Sequence, residues 1–156
     1  MTAQARLAQR LAIGVPALLL GGAYLSQYGF GLYPCEMCWW QRYAHFAALA
    51  LALLSCVAPP RKAWVALAAL AILASGAIGA FHAGIEYHWW EGFTTCSRPT
   101  GSGGGDPLAA LLAQPLIRCD TAQWTLMGIS LAGFNAIISI LSAGAIFALL
   151  LKDKRA

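Results

Sequence analysis

The sequence is short of charge. Only 10% of its 156 residues are Asp, Glu, Lys or Arg, and only six are acidic. Soluble domains average about 25% charged residues. So few charges do not cover a water-facing surface, which argues against a soluble globular enzyme. With 60% hydrophobic residues the chain is not a disordered one either. Its 16 glycines follow no three-residue period, so a collagen-like repeat is out. The net charge is +4, yet the ten Lys and Arg form no stripe and no nucleic-acid motif is present. No nucleic acid is expected as a partner. There is no internal repeat, and the length suits one domain over residues 1–156.

What the chain does have is uncharged runs: Leu11–Cys35, Tyr43–Pro60, Ala63–Ile85 and Thr121–Leu151. About 20 apolar residues are enough to cross roughly 30 Å of hydrocarbon. Backbone polar groups in lipid must be satisfied within the chain, which favours helices. The expected fold class is an all-α membrane protein, a bundle of four transmembrane helices. The spans are expected over about 11–28, 42–59, 63–84 and 124–151. Arg6 and Arg10 ahead of the first run resemble a signal peptide. That run stays uncharged past a typical signal core, so a retained anchor is expected rather than cleavage.

The basic residues orient the bundle. Arg6, Arg10, Arg61, Lys62, Lys152, Lys154 and Arg155 fall on one side of a four-span chain. The other side carries Arg42, Arg98 and Arg118 against Glu36, Glu86, Glu91, Asp106 and Asp120. Both termini are therefore expected in the cytoplasm. The segments at about 29–41 and 85–123 are expected outside, on the periplasmic face of a bacterial inner membrane. The second contains a Gly-rich stretch, Gly101–Gly105. Pro107–Ile117 follows, with leucines at helical spacing, and reads either as a short surface helix or as a packed loop helix.

Four of the five cysteines, Cys35, Cys38, Cys96 and Cys119, lie in the outer segments, where disulfides persist. Cys56 lies within the second span and reads as a small buried apolar residue. Cys35-Glu36-Met37-Cys38 is a C-x-x-C, a motif that fits a redox pair, zinc or haem. Covalent haem wants His where Trp39 stands. Zinc commonly wants two such close pairs, and Cys96 and Cys119 are far apart in sequence. Redox chemistry is therefore favoured, with no metal. Arg42 sits one helical turn after Cys38 and would share its face. A permanent cation and a helix start both favour a thiolate at Cys38. The plainer reading is an arginine whose head snorkels to the interface. Cys96 and Cys119 flank the Gly-rich stretch, either as a loop staple or as an exchangeable disulfide open to an outside thiolate. His82 reads as a polar ligand contact or as a satisfied core histidine. Trp39, Trp40, Trp89, Trp90 and Trp124 form an aromatic belt at the outer boundary.

These residues together resemble the disulfide bond formation protein B family (DsbB), bacterial inner-membrane thiol oxidases. The resemblance rests on Pro34-Cys35-Glu36-Met37-Cys38 with Gln41-Arg42, on Phe81–Glu86, on Thr95-Cys96, on Cys119-Asp120 with Trp124, and on Gly128–Asn135. It implies a protein-disulfide:quinone oxidoreductase. A reduced periplasmic partner like DsbA would attack Cys96 and leave oxidised. Electrons would pass from Cys96/Cys119 to Cys35/Cys38, through a transient Cys35–Cys119 bridge. Cys38 would hand them to ubiquinone or menaquinone. Arg42, with Gln41 and His82, would contact the quinone.

Three other readings compete. A membrane reductase of the vitamin K epoxide reductase type shares the plan but usually carries its C-x-x-C late in the chain. A non-catalytic scaffold tied by disulfides or zinc predicts locked cysteines. A transporter is disfavoured because the expected spans hold no acidic residue.

Overall fold

The computed structural model describes residues 2–91 and 117–153. Among them are four helices and a small ribbon. The helices are α1 (Ala3–Phe30), α2 (Glu36–Val57), α3 (Arg61–Glu86) and α4 (Leu131–Asp153). Strands β1 (Thr125–Leu126) and β2 (Ile129–Ser130) pair antiparallel just before α4.

Local chemistry sets the helix ends. Thr2 caps α1 by accepting the Ala5 N–H at 3.3 Å. Pro59 and Pro60 separate α2 from α3, since proline brings no N–H to continue a helix. Met127 (φ 52°) and Gly128 (φ 77°) make the two-residue turn of the ribbon. Positive φ at both central positions is the hairpin geometry whose twist matches its strands. This turn corrects the sequence expectation of a helix from about 124. The uncharged run there is a ribbon first, and the helix begins only at Leu131.

The helices pack in the ring α1–α2–α3–α4, and α1 also touches α3 across it. Small residues make many of the contacts, around a few larger ones such as Val65, Ile72 and Ile146. Ala8 and Ala12 of α1, Ala48 and Ala52 of α2, Ala68 and Ala69 of α3 and Ala143 of α4 are fully buried. A Cβ on Gly79 of α3 would stand 3.0 Å from the Ala132 carbonyl oxygen of α4. Close backbone approach of this kind is how helices associate where lipid removes the hydrophobic drive. Many large apolar side chains point outward, among them Leu18, Leu25, Val57, Leu70 and Leu141. So large an apolar exterior has no place in water. α1, α3 and α4 are long and apolar enough to cross a membrane. α2 has 22 residues and carries Gln41, Arg42 and His45 on its buried side.

One end of the bundle is tied by charge. Asp153 accepts from the Thr2 hydroxyl and pairs with Lys62, which joins the start of α1, the start of α3 and the end of α4. Arg61 and Lys152 belong to the same end. Cys56 lies near it and is exposed on the outer face of α2, not buried as its sequence context implied. Its neighbour Ser55 turns inward and accepts from Gln9 at 2.8 Å. The other end holds Cys35, Met37, Ile85 and Cys119 in a compact cluster, with Ile117 packed against it. The rest of the expected surface helix, and Cys96, lie outside the described residues.

Candidate functional site

Cys35 is the last residue of an extended segment and the N-cap of α2. Its Sγ accepts the Cys38 N–H at 3.3 Å, the bond that Ser or Asp makes in a common cap. The C-x-x-C spacing puts Cys38 in the first turn of α2. The two sulfurs lie 2.9 Å apart and both are free thiols. Cys35 is buried and Cys38 half-buried. The hydrogen bond shared with Cys38 first, and burial second, push the Cys35 thiol well above its ordinary range. Cys35 therefore keeps the shared proton, and the helix N-terminus favours negative charge within its first turn.

Cys119 is buried and disulfide-bonded. Its Sγ, the Cys35 Sγ and a His82 ring nitrogen lie within 4.8 Å of one another. Three such donors resemble part of a metal site. However, a sulfur already in a disulfide is not a thiolate ligand. Their donor chemistry suits thiol–disulfide exchange, in which a thiolate attacks a disulfide sulfur.

His82 is 2% exposed and is held on both nitrogens. The Gln41 amide nitrogen donates to the Met37 carbonyl at 3.2 Å and to His82 Nδ1 at 3.1 Å. That leaves the ring proton on Nε2, which faces Cys35 Sγ at 3.5 Å, Glu86 at 3.8 Å and the Cys119 backbone. Glu86 is the last residue of α3 and accepts from the Ser130 hydroxyl.

Arg42 is 6% exposed, one turn below Cys38. Its guanidinium donates to Gln27 Oε1 at 2.6 Å and to the Ala23 carbonyl at 3.1 Å, both on α1. The Tyr24 and Trp39 rings flank it at 4.9 and 5.0 Å. Its hydrogen bonds go to α1, and it lines the same cavity as Cys38. Arg118, which also lines the cavity, holds the exposed Asp120 carboxyl below the usual carboxylate range.

The cavity measures about 250 Å³. Cys35, Cys38, Gln41, Arg42, His45 and His82 form its polar side, while Leu18, Leu19, Trp124 and Phe134 are among its apolar walls. A flat ring with polar edges fits such a lining: apolar faces for the ring, a buried cation and hydrogen-bonding groups for its oxygens. Sequence reasoning named Cys35, Cys38, Arg42, His82 and Gln41. It missed His45 and Asn135, which continue the buried network. Asn135 donates to Gln41 Oε1 at 2.8 Å, and its own oxygen lies 2.8 Å from His45 Nε2. The available signal was the rarity of His and Asn within apolar runs.

The family model for disulfide bond formation protein DsbB matches residues 5–149. A disulfide bond formation protein B of Acidovorax sp. (strain JS42) is 30% identical over 164 residues, covering 99% of this chain and 91% of the relative. One from Verminephrobacter eiseniae (strain EF01-2) is 33% identical over 159 residues, covering 93% and 85%. No solved structure matches. A match that runs from the first turn of α1 into the last turns of α4 covers nearly the whole bundle, and the chain belongs to the DsbB family of disulfide bond formation proteins.

Proposed function

We propose that this chain is a thiol oxidase of a bacterial inner membrane that reoxidises a DsbA-like periplasmic dithiol protein and passes the electrons to a membrane quinone. All four helices span the bilayer, both termini are cytoplasmic, and the cysteine end of the bundle faces the periplasm. The positive residues gathered at the opposite end support this orientation.

The observation that carries the reading is the convergence of Cys35 and Cys119 sulfurs beside a cavity that Cys38 also lines. A partner thiolate attacks Cys96 of a Cys96–Cys119 disulfide and forms a mixed disulfide, releasing Cys119 as a thiolate. The partner's second thiol breaks that mixed bond, leaving the partner oxidised and Cys96 reduced. The Cys119 thiolate then attacks Cys35 of an oxidised Cys35–Cys38 pair, so Cys38 leaves as a thiolate toward the cavity. Cys96 attacks Cys119, which restores the outer disulfide and leaves Cys35 and Cys38 reduced. Two electrons and two protons have then moved inward. The cavity lining fits ubiquinone or menaquinone, and a quinone bound there supplies the two-electron, two-proton acceptor that returns Cys35 and Cys38 to their disulfide. Arg42 holds negative charge on the cavity side, and His82 donates Nε2–H to Cys35 when that sulfur is a thiolate.

The test is anaerobic mixing of the purified protein with a reduced DsbA-like protein and a quinone, following quinone absorbance. Stoichiometric loss of quinone with partner oxidation is expected. Partner oxidation that proceeds equally without quinone, or cysteines that stay locked, would overturn the proposal.

A further inference from the structure

One polar atom of a residue that lines the cavity has no part in the scheme above. His45 is 3% exposed, stands on α2 one turn beyond Gln41, and lines the cavity. Its Nε2 is bonded to Asn135, while its Nδ1 is buried with no hydrogen-bond partner among the described residues.

Backbone carbonyls determine which way the surrounding bonds run. The Ser75 carbonyl only accepts, so the Asn135 atom 3.1 Å from it is the amide nitrogen. That nitrogen also donates to Gln41 Oε1. Asn135 Oδ1 therefore faces His45, and it accepts from the Ser139 hydroxyl at 3.1 Å as well. An amide oxygen cannot donate, so His45 Nε2 carries the ring proton. In the neutral ring this leaves Nδ1 a bare lone pair. A buried acceptor without a donor is unfavourable, and such atoms in native structures call for a functional account.

A quinone offers two carbonyl oxygens, which are acceptors and do not meet another acceptor. Its reduced form offers two hydroxyl donors. We infer that His45 Nδ1 accepts a hydrogen bond from a hydroxyl of the reduced ring, a hydroquinone, with Asn135 as the positioning residue that locks His45 in its accepting tautomer. The inference rests on the quinone reading of the cavity and goes beyond it. His45 discriminates between the two oxidation states of one ligand and favours the reduced one. The surrounding packing supports a fixed position for Asn135, since a Cβ on Gly79 would stand 2.9 Å from its amide nitrogen.

The test uses the oxidised protein in lipid nanodiscs with three probes: a decyl-chain benzoquinone, its quinol, and the quinol dimethyl ether, which has no donor. His45→Leu is expected to weaken quinol binding about tenfold, with quinone affinity changed less than twofold. That ratio lowers the potential of the bound couple by about 30 mV. In the wild type the quinol is expected to bind more tightly than its ether, and in His45→Leu this preference disappears. The wild-type comparison stands even if the variant folds poorly. An equal loss for quinone and quinol, or an ether bound as tightly as the quinol by the wild type, overturns the inference. If the wild type binds none of the probes, the quinone reading falls and this inference with it. If quinone binds and His45→Leu changes no affinity, only the role of His45 falls.

Discussion

Gln41 of α2 and Asn135 of α4 meet through an amide–amide hydrogen bond of 2.8 Å. Each amide also fixes a histidine: Gln41 donates to His82 Nδ1, and Asn135 accepts from His45 Nε2. One interhelical bond thus ties together the two amides that set the tautomers of two rings beside the cavity. All of these groups are buried or nearly so.

Removing either amide should therefore be felt by the whole set. Gln41→Leu and Asn135→Leu are each expected to lower stability by about 1–2 kcal/mol. The double variant should lose less than the sum, because the second change removes a partner already lost. Thermal unfolding of the four proteins in detergent measures this, and strict additivity would show that the two amides are not coupled.

The proximity of Cys35 and Cys119 makes a second expectation. In Cys38→Ser, Cys35 has lost its sulfur partner. Its thiolate should attack Cys119, with Cys96 leaving as the new free thiol. Peptide mapping by mass spectrometry under non-reducing conditions should find a Cys35–Cys119 bridge, and quinone reduction should be absent. Normal quinone reduction by this variant would refute the assignment of Cys38.

Much of this site was legible in the chain and some was not. The C-x-x-C and Arg42 stood out because a charge-poor sequence makes each polar residue conspicuous. The helices followed from the runs between charges. The start of α2 was harder to read, because a cysteine acting as N-cap carries none of the usual Ser, Thr or Asp signal. The ribbon at 125–130 was hidden inside an apolar run, where only Gly128 hinted at a turn. His45 and Asn135 were missed because their meaning is relational. They are 90 residues apart and become a pair only when α2 and α4 pack.

Arg42 links the cavity to α1. Arg42→Ala removes two charge-assisted hydrogen bonds and a cation held between two rings. The apparent KM for quinone is expected to rise about tenfold or more, with the rate of partner docking nearly unchanged. Arg42→Lys should recover only part of the loss, since an ammonium cannot reproduce the planar fork. Steady-state kinetics with quinone and partner varied separately would distinguish these effects, and an unchanged quinone KM would remove Arg42 from the site.

The raised thiol at Cys35 predicts a dependence on pH. Folding holds this proton more tightly than the unfolded chain does. The corresponding stability is complete below the ordinary thiol value of about 8.5 and is lost as pH rises above it. The reduced protein should therefore show a falling Tm between about pH 8.5 and 10 relative to the oxidised protein, in which the pair does not titrate. Parallel curves for the two forms would contradict the assignment.

Cys35 also closes the end of α2, by accepting the Cys38 N–H. A sulfur drawn into a bond with Cys119 gives up that duty, and the amide behind it is released. In the proposed cycle each turnover is thus also a small mechanical event, a clasp opened and refastened at the tip of a rod. Hydrogen exchange at residue 38 should keep time with the chemistry.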